Sequence, residues 1–201
     1  MSSNLSVGDL GAARLLPEDR EKLHGYGGAL VWFTGLSGAG KSTVANLVDL
    51  KLHAKGRHSV LLDGDLVRTG LCADLTFSPE DRKENVRRIG EVGRLIAQTG
   101  AIALIAVIAP YAKDREAARE RMREGRYVQV FVDAPLAVCE ERDPKGLYAK
   151  ARAGVIKNFT GIDAPYDAPK KPEVHLRSDG TTTPEQLADQ VIAYLEAHGF
   201  A

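Results

Sequence analysis

Short apolar runs alternate with longer segments of helical periodicity along the chain. The apolar runs predict strands at residues 30–34, 59–62, 101–109, 128–132 and 174–176. Apolar positions at helical spacing predict helices at residues 41–55, 78–99, 113–124 and 184–198, and a short helix at residues 17–24 follows a polar tail of about 15 residues. Because strands that alternate with helices form parallel sheets covered on both faces, the pattern predicts an α/β fold with a doubly wound parallel sheet of about five strands.

Two of the predicted helices carry clear start signals. Ser78 is followed by Pro79 at the first helical position and by Asp81 three residues on, which predicts a capping box. Thr183 is expected to cap the last helix of the chain.

The predicted topology also indicates where ligands bind. In doubly wound sheets the sites lie at the carboxyl ends of the strands. Residues 142–169 fit no strand and are rich in Lys, Arg, Gly and Pro, which predicts a lid over that edge. We therefore divide the chain into an N-terminal tail with a short helix, residues 1–27, and one domain, residues 28–201.

Composition and charge exclude several classes of protein. The 201 residues carry 27 Lys and Arg against 27 Asp and Glu, so no overall positive charge favours nucleic acid or anionic lipid as a partner. Residues 101–109 are too short to span a bilayer, and the N-terminus lacks the features of an export signal. Cys72 and Cys139 have no metal-ligand or disulfide spacing, which is typical of a reducing compartment and predicts a cytoplasmic protein without a membrane partner.

A glycine-rich motif lies between the first predicted strand and the helix after it. Residues 35–42 read GLSGAGKS and match G-x-x-x-x-G-K-[ST], in the context that a phosphate loop requires. Lys41 would neutralise the β and γ phosphates, and Ser42 would join the Mg²⁺ shell. The alternative, a glycine turn beside a surface lysine, is much weaker here. We expect the nucleoside triphosphate site to comprise Gly35, Leu36, Ser37, Gly38, Ala39, Gly40, Lys41, Ser42 and Thr43.

Asp63 and Asp65 follow the second predicted strand, on either side of a glycine. The third strand contains no acidic residue, so this pair is the natural source of the carboxylate that contacts Mg²⁺. The other carboxylate would accept a proton from an attacking hydroxyl, and which of the two is the base stays open. A strand-ending turn without chemistry is the alternative. The chain also lacks an [NT]-K-x-D segment, which argues against a GTPase.

The start of the helix at residues 78–99 predicts a polar pocket. Its apolar stripe continues backwards into Arg82 and Asn85, and Arg68 and Phe77 flank the same region. Such a set suits an anionic ligand with an aromatic ring. The alternatives are that the polar side chains simply reach solvent and that Phe77 lies in the core.

The predicted lid carries several cations. We expect one or two of them to close over the transferring phosphate, and the alternative is that they form a solvated face. The candidates are Arg142, Lys145, Lys150, Arg152 and Lys157.

Several segments, in this order, resemble those of adenylyl-sulfate kinases: FTGLSGAGKST (33–43), LDGDLVR (62–68), FSPEDRKENVRRIGEV (77–92), IAPY (108–111), VDAPLAVCEERDPKGLYAKARAG (132–154) and IKNFTGIDAPYDAP (156–169). The resemblance runs from about Gly28 to the C-terminus. It implies a phosphate-loop kinase that transfers the γ-phosphate of MgATP to the 3′-hydroxyl of adenosine 5′-phosphosulfate (adenylyl sulfate). The product is 3′-phosphoadenosine 5′-phosphosulfate, for sulfate assimilation or sulfation. It also implies a homodimer.

Matching positions carry roles over from the family. The resemblance implies that Asp65 is the base near the 3′-hydroxyl and that Asp63 serves the metal. Thr181 would border the ATP adenine. Leu66 and Ala109 depart from the family, which often has Asn and Ser there. The implied substrate pocket comprises Asp65, Arg68, Phe77, Arg82, Asn85, Ile108, Ala109, Lys145, Asn158 and Phe159, with the two phenylalanines around the adenine and backbone contacts from positions 108 and 109.

Two alternative functions stay open. One is another small-molecule or nucleoside-monophosphate kinase of the same fold. The other is a non-catalytic nucleotide-binding module of a larger sulfate-activating assembly. Activity measured with and without adenylyl sulfate discriminates among all three.

Overall fold

A computed structural model describes residues 15–201, so the predicted tail up to residue 14 lies outside the described residues. The strands are β1 (Ala29–Thr34), β2 (Ser59–Asp63), β3 (Ile102–Ala106), β4 (Tyr127–Asp133) and β5 (Val174–Arg177). The helices are α1 (Pro17–His24), α2 (Lys41–Ala54), α3 (Gly64–Val67), α4 (Pro79–Gln98), α5 (Ala112–Glu120), α6 (Leu136–Arg142), α7 (Leu147–Arg152) and α8 (Pro184–Ala197).

The five strands form one parallel sheet in the order β2-β3-β1-β4-β5. This confirms the predicted doubly wound α/β fold. Because β1 lies at the centre, the loop that follows it is flanked by the loops after β3 and β4. The carboxyl edge of the sheet therefore gathers segments that are far apart in the sequence.

Each face of the sheet has its own apolar core. In β1, Val31 and Phe33 pack on the face that α2 and α8 cover, whereas Leu30 and Trp32 pack on the face that α4 and α5 cover. All six residues of β1 are buried. Burial on both faces explains why this strand is a continuous apolar run in the sequence rather than an alternating one.

Two predicted elements are longer than the observed ones. The strand predicted at residues 101–109 corresponds to β3, which ends at Ala106. The chain then leaves the extended conformation, since Ala109 has a φ of 43°. The helix predicted at residues 113–124 corresponds to α5, which ends at Glu120, because Arg123 and Arg126 close a turn that leads into β4.

The capping box predicted at Ser78 is wrong in one half. Ser78 Oγ accepts a hydrogen bond from the amide of Asp81 at 3.1 Å, as a cap should. The Asp81 carboxylate, however, accepts from the amide of Thr76 at 2.8 Å instead of returning to Ser78. At Thr183 both halves form, because its hydroxyl accepts from the Gln186 amide at 3.3 Å and the Gln186 side chain accepts from its amide at 3.1 Å.

Helix α1 is attached to the amino edge of the sheet by charge. Glu21 accepts hydrogen bonds from Arg123 at 2.6 Å and from Arg126 at 2.8 Å. None of the residues of α1 is buried.

In residues 15–201, none of the helices combines the length and the apolar character needed to cross a membrane.

Candidate active site

The phosphate loop (residues 35–42) joins β1 to α2 at the carboxyl edge of the sheet. Gly38 and Gly40 have φ angles of 72° and 98°, in the left-handed region that favours glycine. A Cβ on Gly38 would lie 2.9 Å from the carbonyl oxygen of Cys139, so backbone approaches backbone there. The loop amides thus lie at the N-terminal end of the 14-residue helix α2, where the helix dipole favours a bound anion.

Lys41 is the first residue of α2 and is 8% exposed. Its Nζ donates to the carbonyl oxygen of Leu36 at 2.7 Å, which holds the ammonium group within the phosphate loop. Burial lowers the pKa of Lys41 from 10.5 to about 8. At neutral pH the side chain therefore still carries the charge that phosphate binding requires.

Ser42 and Asp63 form the part of the site that fits Mg²⁺. Ser42 Oγ donates to Asp63 Oδ2 at 2.5 Å, and Asp63 Oδ1 accepts from the amide of Asp65 at 2.9 Å. Hydroxyl and carboxylate oxygens beside a phosphate loop are ligands that Mg²⁺ prefers, with phosphate oxygens and water completing the shell. Within residues 15–201 no cluster of three or more His, Cys, Asp or Glu side chains forms a protein-only metal site. The donor set thus fits a metal ion that is shared with a nucleotide.

Asp65 connects the Ser42 and Asp63 part of the site to the lid. Its carboxylate is exposed and forms an ion pair with Lys145, which lies 80 residues further along the chain. Arg142 also reaches the site, since its guanidinium donates to Ser178 Oγ at 3.2 Å. Three other candidate cations are exposed, namely Lys150, Arg152 and Lys157, and the second of these pairs with Glu140 at 2.6 Å.

Arg82 and Asn85 lie one turn apart in the first part of α4. Arg82 donates to the carbonyl oxygen of Asn158 at 2.6 Å and to Thr160 Oγ1 at 3.1 Å, so α4 holds the distal part of the lid. Asn85 is buried, and its Oδ1 has no hydrogen-bond partner among the described residues. An unpaired buried oxygen costs free energy, so this atom is a position where a bound ligand would donate a hydrogen bond.

The two phenylalanines predicted to bind adenine lie in different environments. Phe77 is 66% exposed, and the guanidinium of Arg68 lies 4.2 Å from its ring centroid. Phe159 is 8% exposed and packs edge-on against Tyr148, with ring centroids 5.0 Å apart. Phe77 is therefore available to a ligand without rearrangement, whereas Phe159 is also part of the core.

Three further predicted residues lie in loops at the carboxyl edge. Ile108 and Ala109 follow β3, and Thr181 lies between β5 and α8. The Thr181 hydroxyl donates to the carboxylate of Asp179 at 2.6 Å, which fixes this turn. All three therefore lie on the side of the sheet where the phosphate loop begins.

The sequence does not predict two residues that support the phosphate loop from outside. Tyr148 donates from its hydroxyl to the carbonyl oxygen of Ser37 at 2.9 Å, and Ser178 donates to that of Ala39 at 2.8 Å. Ser178 lies just after the strand predicted at residues 174–176, and Tyr148 lies in the segment DPKGLY, which resembles the family. The sequence therefore draws attention to both positions, but only the folded chain shows which carbonyl each hydroxyl binds.

Comparisons with known proteins identify the family. The family model for adenylylsulphate kinase matches residues 27–177. The chain belongs to the adenylyl-sulfate kinase family. The adenylyl-sulfate kinase of Citrobacter koseri is 58% identical over 178 residues, which are 89% of this chain and 86% of that protein.

Solved structures of adenylyl-sulfate (APS) kinases share the fold. The Mycobacterium tuberculosis APS kinase in complex with AMPPNP and APS matches with a TM-score of 0.80 and 49% identity, over 85% of this chain and 99% of that chain. A hexameric APS kinase from Thiobacillus denitrificans matches with a TM-score of 0.67 and 33% identity, over 90% of this chain and 30% of that chain. The resemblance found in the sequence motifs is thereby confirmed for most of the chain.

Proposed function

We propose that this adenylyl-sulfate kinase family member transfers the γ-phosphoryl group of MgATP to the 3′-hydroxyl of adenosine 5′-phosphosulfate. The observation that carries the proposal is one chain of contacts across the carboxyl edge. Ser42 of the phosphate loop binds Asp63, Asp63 binds the amide of Asp65, and Asp65 pairs with Lys145 of the lid. Donor, metal and acceptor groups of a kinase would meet along this line.

The phosphate loop binds the donor. Its amides and Lys41 hold the β and γ phosphates, and the positive charge of Lys41 stabilises charge that develops on the transferring group. Ser42 and Asp63 would hold Mg²⁺, which when bound neutralises phosphate charge. Thr181, in the loop before α8, would border the ATP adenine. The remaining loop residues from Gly35 to Thr43 position the donor for in-line transfer.

The acceptor binds beside the start of α4. Arg68 and Arg82 offer guanidinium groups to the phosphosulfate, and Asn85 offers its unpaired Oδ1 to a ribose hydroxyl. Phe77 and Phe159 would contact the adenine, and the backbone of Ile108 and Ala109 with the Asn158 segment would complete the pocket. An aromatic and cationic set of this kind recognises an anionic nucleotide through both stacking and charge.

The chemical step needs a base for the 3′-hydroxyl. A bond forms between the 3′-oxygen and the γ-phosphorus as the bond to the β–γ bridging oxygen breaks, and the hydroxyl proton passes to Asp65. Lys145 would leave Asp65 and pair with the anionic acceptor when the acceptor binds. The exposed position of Asp65 allows this exchange of partners.

We further propose a cytoplasmic homodimer whose catalytic domain is residues 28–201 with a lid at residues 142–169. Both cysteines are buried and unpaired, which suits a reducing compartment. Symmetric pairs are the commonest assembly of soluble enzymes.

The test is phosphoryl transfer with a defined set of acceptors. The purified chain is incubated with ATP and Mg²⁺, with and without adenylyl sulfate, and the products are identified by mass spectrometry. The expected result is ADP and 3′-phosphoadenosine 5′-phosphosulfate only when adenylyl sulfate is present. Faster ADP formation with AMP or a sugar acid would favour another kinase of this fold, and nucleotide binding without turnover would favour a non-catalytic module.

A further inference from the structure

The loop after β3 has three consecutive carbonyl oxygens that are all bound from outside the loop. The Ile108 oxygen accepts from Thr34 Oγ1 at 2.5 Å, and the Pro110 oxygen accepts from the amide of Asp167 at 2.8 Å. The Ala109 oxygen accepts from Nη1 of Arg115 at 2.6 Å. In the described part of the chain, the amides of Ile108 and Ala109 donate to no protein acceptor. The carbonyls are thus bound while two amide donors stay free for a ligand.

Arg115 is the charged centre of this arrangement. It lies in the first turns of α5 and is 2% exposed, which is rare for an arginine. Besides the Ala109 carbonyl it binds the carbonyl oxygen of Asp167 through Nη2, and its guanidinium lies 5.7 Å from the ring centroid of Tyr166. One side chain therefore joins the loop after β3 to the end of the lid.

The conformation of Ala109 explains why such a contact is needed. Its φ of 43° lies in the left-handed region, which a residue with a Cβ adopts at a cost in free energy. The hydrogen bond from Arg115 holds the peptide group that follows Ala109 in that orientation. Because this bond is charge-assisted and buried, it is stronger than a bond between neutral groups.

The end of the lid makes further contacts with the same loop. Asp167 Oδ2 accepts from the amide of Ala112 at 3.0 Å, which caps α5 from outside the helix. Thr34 gives its one hydroxyl hydrogen to Ile108, so the Tyr166 hydroxyl, 2.9 Å away, must be the donor to Thr34 Oγ1. Thr34 is the last residue of β1, directly before the phosphate loop.

We propose that Arg115 is a positioning residue for the acceptor. It fixes the loop of residues 108–110 against the lid end at Tyr166 and Asp167, and the fixed loop in turn orients the acceptor. This inference rests on the proposed function, in which the backbone of Ile108 and Ala109 contacts adenylyl sulfate. Loss of Arg115 frees the Ala109 peptide to leave its strained conformation. The free amides then no longer have one fixed direction, and acceptor binding pays for the ordering.

The planar fork of arginine is required because two carbonyl oxygens are bound at once. A lysine at position 115 offers a single ammonium group and is expected to bind one of the two carbonyls at a time. Arg115→Lys should therefore bind adenylyl sulfate better than Arg115→Met and less well than the wild-type chain. If Arg115 were only a structural cation, Arg115→Lys would leave KM for adenylyl sulfate and KM for ATP equally unaffected.

Arg119 offers a matched control on the same helix. It is an arginine one turn further along α5, it binds Glu173 at 2.6 and 2.9 Å, and it lies 4.5 Å from the ring centroid of Tyr127. Among the described residues it pairs with Glu173 and Glu116, and it forms no hydrogen bond with the loop of residues 108–110. Arg119→Met thus removes a partly buried arginine from the same helix and leaves both hydrogen bonds of Arg115 in place.

The first measurement is steady-state kinetics with each substrate varied in turn. Arg115→Met should raise KM for adenylyl sulfate about tenfold, the effect of one lost hydrogen bond to a charged group, and leave KM for ATP unchanged. Arg119→Met should leave both KM values unchanged. Equal increases in both KM values for Arg115→Met, or an unchanged KM for adenylyl sulfate, would overturn the proposal.

The second measurement does not depend on activity. Hydrogen–deuterium exchange should become faster in residues 108–112 and in residues 166–168 together in Arg115→Met, and in neither segment in Arg119→Met. If Arg115→Met does not fold, Arg115→Lys provides the test, because it keeps the charge but binds only one of the two carbonyls at a time, and exchange should still become faster in both segments. Unchanged exchange in both segments would contradict the coupling. If the wild-type chain fails to bind adenylyl sulfate, the proposed function fails, and the exchange result still decides whether Arg115 joins the two segments.

Discussion

Asp65 is the side chain on which proton removal depends in the proposed mechanism. Asp65→Asn keeps the size of the side chain and its ability to accept a hydrogen bond, but it cannot take the proton. We expect kcat to fall about 10²–10⁴-fold with a smaller change in KM for either substrate. Asp63→Asn is the matched comparison and should instead raise the Mg²⁺ concentration needed for half-maximal rate. A normal kcat in Asp65→Asn would transfer the base role to Asp63 or to no side chain.

Lys41 makes a second prediction at the residue scale, on stability against pH. Burial places its folded pKa at about 8, below the ordinary 10.5, so the unfolded chain binds more protons between these two pH values. The free energy of unfolding of the ligand-free protein should therefore gain a contribution that rises with pH through this window, by up to about 3 kcal/mol.

The measurement is urea unfolding between pH 7.5 and 10.5 without nucleotide. Lys41→Met should lose the rising contribution and be the more stable protein near pH 7. Lys51→Met is the control, because Lys51 is a partly exposed lysine of the same helix that pairs with Asp189 at 2.7 Å. Parallel stability curves for wild type and Lys41→Met would show that burial does not lower the pKa of Lys41.

Phe77 and Phe159 are expected to differ in what their loss affects. Phe77 is 66% exposed, so Phe77→Ala should weaken adenylyl sulfate binding by about 1–3 kcal/mol without lowering the melting temperature. Phe159→Ala should weaken the same binding and also lower the free energy of unfolding by about 3 kcal/mol, because that ring packs on Tyr148 in the core. Calorimetric titration and thermal unfolding separate the two effects. Normal binding by both variants would make these rings purely structural.

At the scale of elements, helix α8 shows how local signals determine a boundary. Both halves of its capping box form, so Thr183→Ala should lower the free energy of unfolding by about 1 kcal/mol. Thr183→Ser, which keeps the hydroxyl, should retain most of that stability. Urea unfolding of the three proteins checks the prediction, and equal loss in both variants would assign the effect to packing of the threonine methyl group.

At the scale of the whole molecule, α1 is held by ion pairs at the edge of the sheet opposite the phosphate loop. Glu21 pairs with both Arg123 and Arg126, and no residue of α1 is buried. Glu21→Gln should therefore speed hydrogen exchange in residues 17–24 while kcat stays unchanged, and high salt should do the same to the wild-type chain. Lys22→Gln is the control, since within residues 15–201 Lys22 pairs only with Asp19 of the same helix. Exchange that is insensitive to both Glu21→Gln and salt would show that α1 is held by other contacts.

The sequence by itself determined the features that depend on neighbours along the chain. Strands β1 and β3 are buried and are continuous apolar runs, the phosphate loop needs glycines at positions 35, 38 and 40 of one short segment, and the cap at Thr183 is completed three residues later. The family resemblance rests on such local segments too. Boundaries failed where a distant partner intervenes, as in the loop after β3, whose Ile108 carbonyl is bound by Thr34 and whose Pro110 carbonyl is bound by the amide of Asp167.

Only the tertiary structure decided which distant residues meet. Sheet order brings the loops after β1, β2 and β3 to one edge, and the lid then places Lys145 against Asp65 across 80 residues of sequence and Asn158 against Arg82 across 76. A cation in a charged segment pairs with whichever acceptor the fold brings within reach, so the composition of the segment does not predict its partner. The physical reason is that hydrogen bonds and ion pairs act over a few ångströms, so partners far apart in the sequence are determined by packing of the whole chain.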